Sequence, residues 1–244
     1  MPTPYEAHAL YELREWQEEM LRYPSMFNAL ARKAQVKLNS FIPEKVHQAV
    51  TTAIKQMIRG VLFGAGYIAP KPMPQVGLEL REAMVRERIK YYQHAGAAEG
   101  GVTGAGGILL GLVDFPLLLG LKLKLLYDVA AIYGYDVKDY RERVYLLHIF
   151  ELAFSSQEHR RKVYRHIADW KTQKLTLPED IDAFDWRSLQ QEYRDYIDLA
   201  KMAQMVPLIG APVGAVVNYR LISKLGKTAM NAYRLRWQAQ GVLS

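Results

Sequence analysis

The chain of 244 residues contains no cysteine. Disulfides, thiolate metal ligands and a Cys nucleophile are thereby excluded, and the absence fits a reducing, cytoplasmic compartment. Strand signals are nearly missing, since no run alternates β-branched and polar residues between hairpin turns. Apolar residues recur at helical spacing almost everywhere instead, so the expected fold class is all-α, a multi-helix bundle. Nucleotide-binding patterns fail as well. Gly104-x-Gly106 has no glycine three residues further on, follows no strand and lacks a later acidic partner. Neither Gly-x-x-x-x-Gly-Lys-Ser/Thr nor Gly-x-Ser-x-Gly occurs, so a phosphate loop and the usual hydrolase elbow are both absent. The opening Met1-Pro2-Thr3-Pro4-Tyr5-Glu6 has no basic region ahead of an apolar core, and export through a signal peptide is not expected.

Acidic residues are also missing from the C-terminal part. No Asp or Glu follows Asp198, whereas Lys201, Arg220, Lys224, Lys227, Arg234 and Arg236 do. The net charge of +7 is thus concentrated there. Such a block suits an anionic lipid surface, nucleic acid or plain solvent. With only Tyr219, Tyr233 and Trp237 beside it, nucleic acid is the weakest of these.

Local signals place the helices. Thr3, Pro4 and Glu6 form a capping box with proline in the first turn, for a helix ending near Arg22 before Tyr23-Pro24. Ser25 caps a second helix, and Pro43 opens a third striped by Val46, Val50, Ile54, Met57, Val61 and Leu62. Pro70, Pro72 and Pro74 mark a linker. It divides an N-terminal helical region, residues 1–69, from a helical domain at 75–240, the two expected to form one compact unit. Arg81, Arg86, Arg88 and Lys90 interleave with Glu79, Glu82 and Glu87 on the next helix, which predicts a solvated face. Gly134 is expected to close a helix in the left-handed conformation and Asp136 to cap the following one. A polar helix is expected over 157–171, a long one from Asp185 to about Met205, and a last one from about Val213 to Gln238.

Gly100 to Leu121 stands apart: 22 residues, seven of them glycine, with Asp114 as the single charge. Gly100, Gly104, Gly107 and Gly111 would line one helix face and admit a close neighbour. Asp114-Phe115-Pro116 predicts a break, with Asp114 capping a new helix. Val206 to Val217 is similar in character, with 12 uncharged residues, and the two segments are expected to pack together at the centre of the bundle. Three readings stay open for the first segment: a buried hairpin, an interfacial wedge and a true span, against which Asp114 and the break both argue.

Gly104-Ala105-Gly106-Gly107 with Gly111-Leu112-Val113-Asp114-Phe115-Pro116 resembles the central signature of the EcsC family. Leu117 to Asp136, Phe150-Glu151-Leu152-Ala153, and Pro207 to Ala215 with Asn218 and Tyr219 continue the likeness, over about Arg81 to Arg236. The resemblance implies a bacterial, transporter-associated or membrane-linked setting, with ABC transporter components as partners. It implies no catalytic residues.

Residue chemistry supplies few candidates. Asp114 is either a helix cap or a carboxylate inside an apolar stretch that binds a cation or moves a proton. Glu99 and Glu151 are a pair that packed helices can bring together as acid and base. His148 and Glu151 share a helix face, but a carboxylate-bridged metal site needs more ligands, so neither metal nor other cofactor is expected. His159 and His166, among Arg160, Arg161, Lys162 and Arg165, read as a solvated face. Gly104, Gly107, Gly111, Asp114, Asn218, Arg220, Lys224 and Lys227 are the residues expected to meet a ligand or a membrane, with Arg220 a partner for Asp114 or Glu151. The leading expectation is a non-enzymatic helical protein, cytoplasmic or peripheral to the inner membrane face, binding the membrane surface or a lipid-like ligand. The rival is a hydrolase using Asp114, Glu99 or Glu151, and a third is an oligomerisation module.

Overall fold

The computed structural model describes residues 2–23, 52, 56, 58–61, 70–105, 107–155, 157–179 and 210–244, and these are helical throughout, with short connections. The elements are α1 (Pro4–Leu21), α2 (Leu78–Ala105), α3 (Gly107–Ile132), α4 (Tyr140–Phe154), α5 (Gln157–Ala168), α6 (Trp170–Thr176) and α7 (Gly210–Ala239). The second helix expected from Ser25, most of the third from Pro43, and the Asp185–Met205 helix lie outside the described residues.

α1 starts where its sequence says. The Thr3 hydroxyl accepts from the Glu6 amide at 3.2 Å, and the Glu6 carboxylate accepts from the Thr3 amide at 2.7 Å. Its apolar stripe of Ala9, Leu13, Trp16 and Met20 is buried, at three- and four-residue steps. It lies against α2, α5 and α7.

The bundle is organised around α2, α3 and α7, the longest described helices. α2 and α7 are antiparallel: Glu82 meets Arg234, Ile89 sits against Gly226, and Gly96 lies beside Ile222 and Asn218. α3 runs antiparallel to α2, through Tyr133–Glu82 and Tyr92–Asp128 bonds. It is therefore parallel to α7, as Lys122–Asn218 and the stacked Tyr133–Tyr233 rings show. Close approach of α2 and α7 depends on Gly96 and Gly226, where a Cβ would overlap Ile222 and Ile89. α4 packs on α7 and α5, and contributes Val144, Tyr145, Leu147, Ile149 and Phe150 to the core.

Four local expectations change. First, α3 runs unbroken through Asp114-Phe115-Pro116, from Gly107 to Ile132. Pro116 removes one backbone donor from a 26-residue helix, which the rest of the helix and its neighbours tolerate. Gly100 and Gly104 consequently lie on α2, and Gly107 and Gly111 on α3, not on one helix face. Second, Asp139 rather than Asp136 caps α4, accepting from the Arg141 amide at 2.9 Å, while Asp136 closes a tighter turn on Lys138. Third, the polar helix divides into α5 and α6 around Asp169. Fourth, α2 does not present Arg81 and Glu82 to solvent, since both are buried. Gly134 does adopt the left-handed conformation, at φ 90°, after α3.

Candidate functional site at the apolar end of the bundle

Because α3 and α7 are parallel and α2 opposes them, one end of the bundle collects three helix ends. They are the C-terminus of α2 and the N-termini of α3 and α7. Those ends carry the glycine-rich stretch and the described part of the second uncharged segment. Among the described residues, the helix ends that carry them therefore lie at the same end of the bundle. From Gly107 to Lys122 the α3 arm measures about 22 Å at 1.5 Å per residue. That is enough to enter one leaflet but short of the ~30 Å hydrocarbon core. Among the described residues no helix is long and apolar enough to cross a membrane.

Where side chains are described, this end exposes apolar surface. Leu117 is 51% and Val216 48% exposed, and the flanking Tyr91 and Tyr219 are 62% and 42% exposed. Lys124 and Arg220 are the exposed cations next along α3 and α7, while Lys90 and Lys224 lie further from that end. Lys224 reaches the surface, yet partial burial and then the neighbouring Arg160 push its ammonium down to about 8. Lys227 is exposed one turn further from the end.

Beneath the apolar end lies Lys122, 7% exposed. Its ammonium donates to the Leu118 carbonyl and to Asn218 Oδ1, each at 3.4 Å. No carboxylate pairs with it among the described residues. Burial pushes the ammonium down to about 8. The side chain rises from the buried face of α3 and reaches back one turn, toward the apolar end. Asn218, also buried, meets it from α7. Lys122 went unnoticed in the sequence because its neighbour Lys124 is identical in type. Only the helix phase separates them, 122 falling in line with the buried 118, 125 and 129.

The other expected residues divide between this end and the rest of the molecule. Glu99 and Asp114 lie on the arms of α2 and α3, with Gly104, Gly107 and Gly111; the side chains of Glu99 and Asp114 are outside the described set. Arg220 is exposed, and no ion pair joins it to Glu151. Glu151 instead bonds His148 Nδ1 at 3.3 Å and the Nε2 of His159 across the α4–α5 joint. Burial by itself would raise this carboxyl, but the two imidazoles outweigh it and hold it at about 2. His166 packs on His148, ring centres 4.6 Å apart, and on Trp170. Burial and then His148 push it down to about 4. His159 and His166 therefore belong to an interior joint and not to a solvated face. Among the described residues no three such side chains converge as a metal site.

The basic block is also rearranged. Arg234 and Arg236 turn inward at the far end of α7. Arg234 forks onto both oxygens of the fully buried Glu82, each bond 2.6 Å, and also reaches Glu12 at 2.8 Å. Tyr5 and Tyr133 donate to the same carboxylate, at 2.5 and 2.9 Å. Burial alone would raise Glu82; Arg234 and the two phenols hold it below its ordinary range. Arg236 pairs with Glu142 at 2.6 Å and lies over the Tyr135 ring at 3.8 Å.

Comparison with known proteins agrees with the signatures. The chain is 42% identical over 228 residues to Protein EcsC of Bacillus subtilis (strain 168), which covers 93% of this chain and 94% of that protein. It is 30% identical over 169 residues to Uncharacterized protein YdbA of the same organism, covering 69% of this chain and 60% of that one. No solved structure matches. A profile of the EcsC protein family matches residues 7–237, a wider span than the signatures themselves cover, and the chain belongs to that family.

Proposed function

We propose that this protein is non-enzymatic and acts at a membrane surface, with its glycine-bearing end lying in the headgroup region of an anionic bilayer. The observation that supports this is that the helix ends carrying the glycine-rich stretch and the described part of the second charge-poor segment lie at one end of the bundle, above exposed Lys124 and Arg220. An apolar wedge with a cationic collar and interfacial tyrosines is the chemistry that holds a peripheral protein to anionic lipid. Asp114, eight residues up the α3 arm from Lys122, costs roughly 2.5–3.5 kcal/mol at a bilayer centre, so the insertion is shallow. A transporter-associated role on the cytoplasmic face, as the family resemblance implies, suits a protein held in that way.

The test is co-sedimentation with phosphatidylcholine vesicles and with vesicles containing phosphatidylglycerol. Binding to the anionic vesicles at low salt, weakened by added salt, is expected. Failure to sediment with either kind at low salt would remove the proposal. If no binding is seen and the protein is a stable oligomer in solution, the apolar end is a contact between copies instead.

A further inference from the structure

Three histidines gather where α4 meets α5, and the membrane reading makes no use of them. Glu151 is buried on α4 and is met by His148 from its own helix and by His159 from α5. An ionised carboxylate accepts and does not donate, so both ring nitrogens donate to it. His166, about two turns further along α5, lies against His148 with ring centres 4.6 Å apart. Trp170, at the head of α6, closes the cluster, 6.0 Å from the His148 ring and 6.2 Å from that of His166. Glu151 thus stands among three rings that can each take a proton.

The groups that face His166 set the direction of its response. From α4 come His148 and Glu151, from α5 Lys162, from the α5–α6 junction Asp169, and from α6 the neutral ring of Trp170. α1 and α7 meet α5 at other positions, through the Trp16–Tyr164 ring pair, the Glu19–Arg160 ion pair and Lys224 beside Arg160. Protons on His166 and His148 together put like charges in ring contact, with Lys162 adding to the repulsion and Glu151 and Asp169 opposing it. Burial and then His148 prevail, and the closed joint holds His166 down to about 4. A ring set free from the joint regains its ordinary affinity for protons. The open form therefore binds more protons than the closed one between the two values, and the closed joint weakens as pH falls through that interval.

We infer that the α4–α5 joint is a proton-operated latch, closed at neutral pH by the Glu151 bonds and the His148–His166 ring contact and released when both of those rings are charged. Release would uncover the apolar face of α5 and α6, formed by Val163, Tyr164, Ile167 and Trp170, and with it Tyr145 of α4, on which Trp170 packs. The latch does not depend on contact with a membrane.

Hydrogen exchange on the full chain, read by mass spectrometry from about pH 7 to about pH 4.5, tests this. Peptides of α5 and α6 are compared with peptides of α2 and α7, each corrected for its intrinsic exchange rate. The joint should open roughly fiftyfold more often at the acid end, as expected for a ring held down to about 4 that returns to its ordinary value on opening. α2 and α7 should keep their protection. His166→Phe leaves a ring against His148 and Trp170 but takes no proton, and should flatten the dependence. His166→Gln serves if the Phe variant does not fold. Protection of α5 and α6 that is unchanged by acid in the wild type, or that falls as steeply in the His166 variants, would overturn the latch. Equal loss from α2 and α7 would overturn it as well, since acid would then be unfolding the whole bundle.

Discussion

The two ends of the α3–α7 pair bury charge in opposite ways. At the far end, Glu82 accepts from Arg234, Tyr5 and Tyr133, and a second pair joins Glu142 to Arg236. Each carboxylate there meets a guanidinium, and phenols complete the set. At the apolar end, the partners of one buried ammonium among the described residues are two carbonyl-type oxygens. The first arrangement ties α1, α2, α3 and α7 together. The second, among the described residues, sets no carboxylate against its ammonium. A network that satisfies all its members rigidifies a fold, whereas an unmatched buried charge is a site waiting for an anion or a defect.

The largest expected effect comes from breaking the satisfied end. Arg234→Met would leave Glu82 buried and unpaired, and should destabilise by about 3–5 kcal/mol in denaturant unfolding. The pH dependence follows from the depressed Glu82 pKa. The stabilisation is present above the carboxyl's unfolded pKa and fades as pH falls through its lower folded value. The variant should lose that part of the acid limb. An unfolding midpoint unchanged from the wild type would mean that the fork contributes no net stability.

Lys122→Met should act in the opposite direction, raising stability by roughly 2–3 kcal/mol at neutral pH if the ammonium is as desolvated as its position indicates. The sign can be worked out directly. The folded pKa, about 8, lies below that of the unfolded lysine, so the unfolded chain holds more protons between the two values. Wild-type stability should therefore rise with pH over that interval, with the full penalty present below about 8. Lys224 and the buried tyrosines titrate in both proteins, so the difference between wild type and variant isolates Lys122. A variant no more stable than wild type, with the same alkaline slope, would show that Lys122 carries no such penalty.

Gly226→Ala tests whether the two ends are held at a fixed spacing. Alanine is the better helix former by about 1 kcal/mol. Its Cβ would nevertheless overlap Ile89 Cγ1 and Cδ1 at the α2–α7 crossing. A net loss of about 1–2 kcal/mol is expected, the usual range for modest overpacking less the propensity gain. A gain in stability would mean that Ile89 turns aside and the crossing is loose.

How much of this was legible in the sequence depends on the range of the interaction. Thr3, Glu6, Pro4 and Gly134 act within a few residues, and their roles were readable. The same holds for the all-α class, which rests on apolar spacing. The far-end network was not readable, because Glu82 and Arg234 are 152 positions apart and each looks like an ordinary surface residue among charges. Alternation of Arg and Glu on α2 suggested a solvated face, while the burying partner came from α7. The Asp114-Phe115-Pro116 break failed for another reason. Pro116 removes one donor from the helix ladder, and the 26 residues of α3 continue past it. Gly96 and Gly226, the glycines that set the helix spacing, stand outside the glycine-rich stretch and carry no local sign of their role.

The smallest expected effect concerns the surface around the unmatched end, and it should leave the fold untouched. Lys124 and Arg220 are exposed on α3 and α7, close below the apolar arms. A basic residue near an anionic bilayer contributes about 1 kcal/mol, so Lys124→Gln and Arg220→Gln should each lower vesicle partitioning by roughly fivefold, with no change in unfolding. The two losses should add, since the residues do not contact the same partner. They should also shrink with added salt, because exposed charges are screened over about 10 Å at 0.1 M. Lys227→Gln, a turn or more further from the end on α7, should lose less. This gradient separates an oriented contact from general attraction to a protein of net charge +7. If all three substitutions weaken partitioning equally, the protein is attracted as a whole and its apolar end has no special place at the surface.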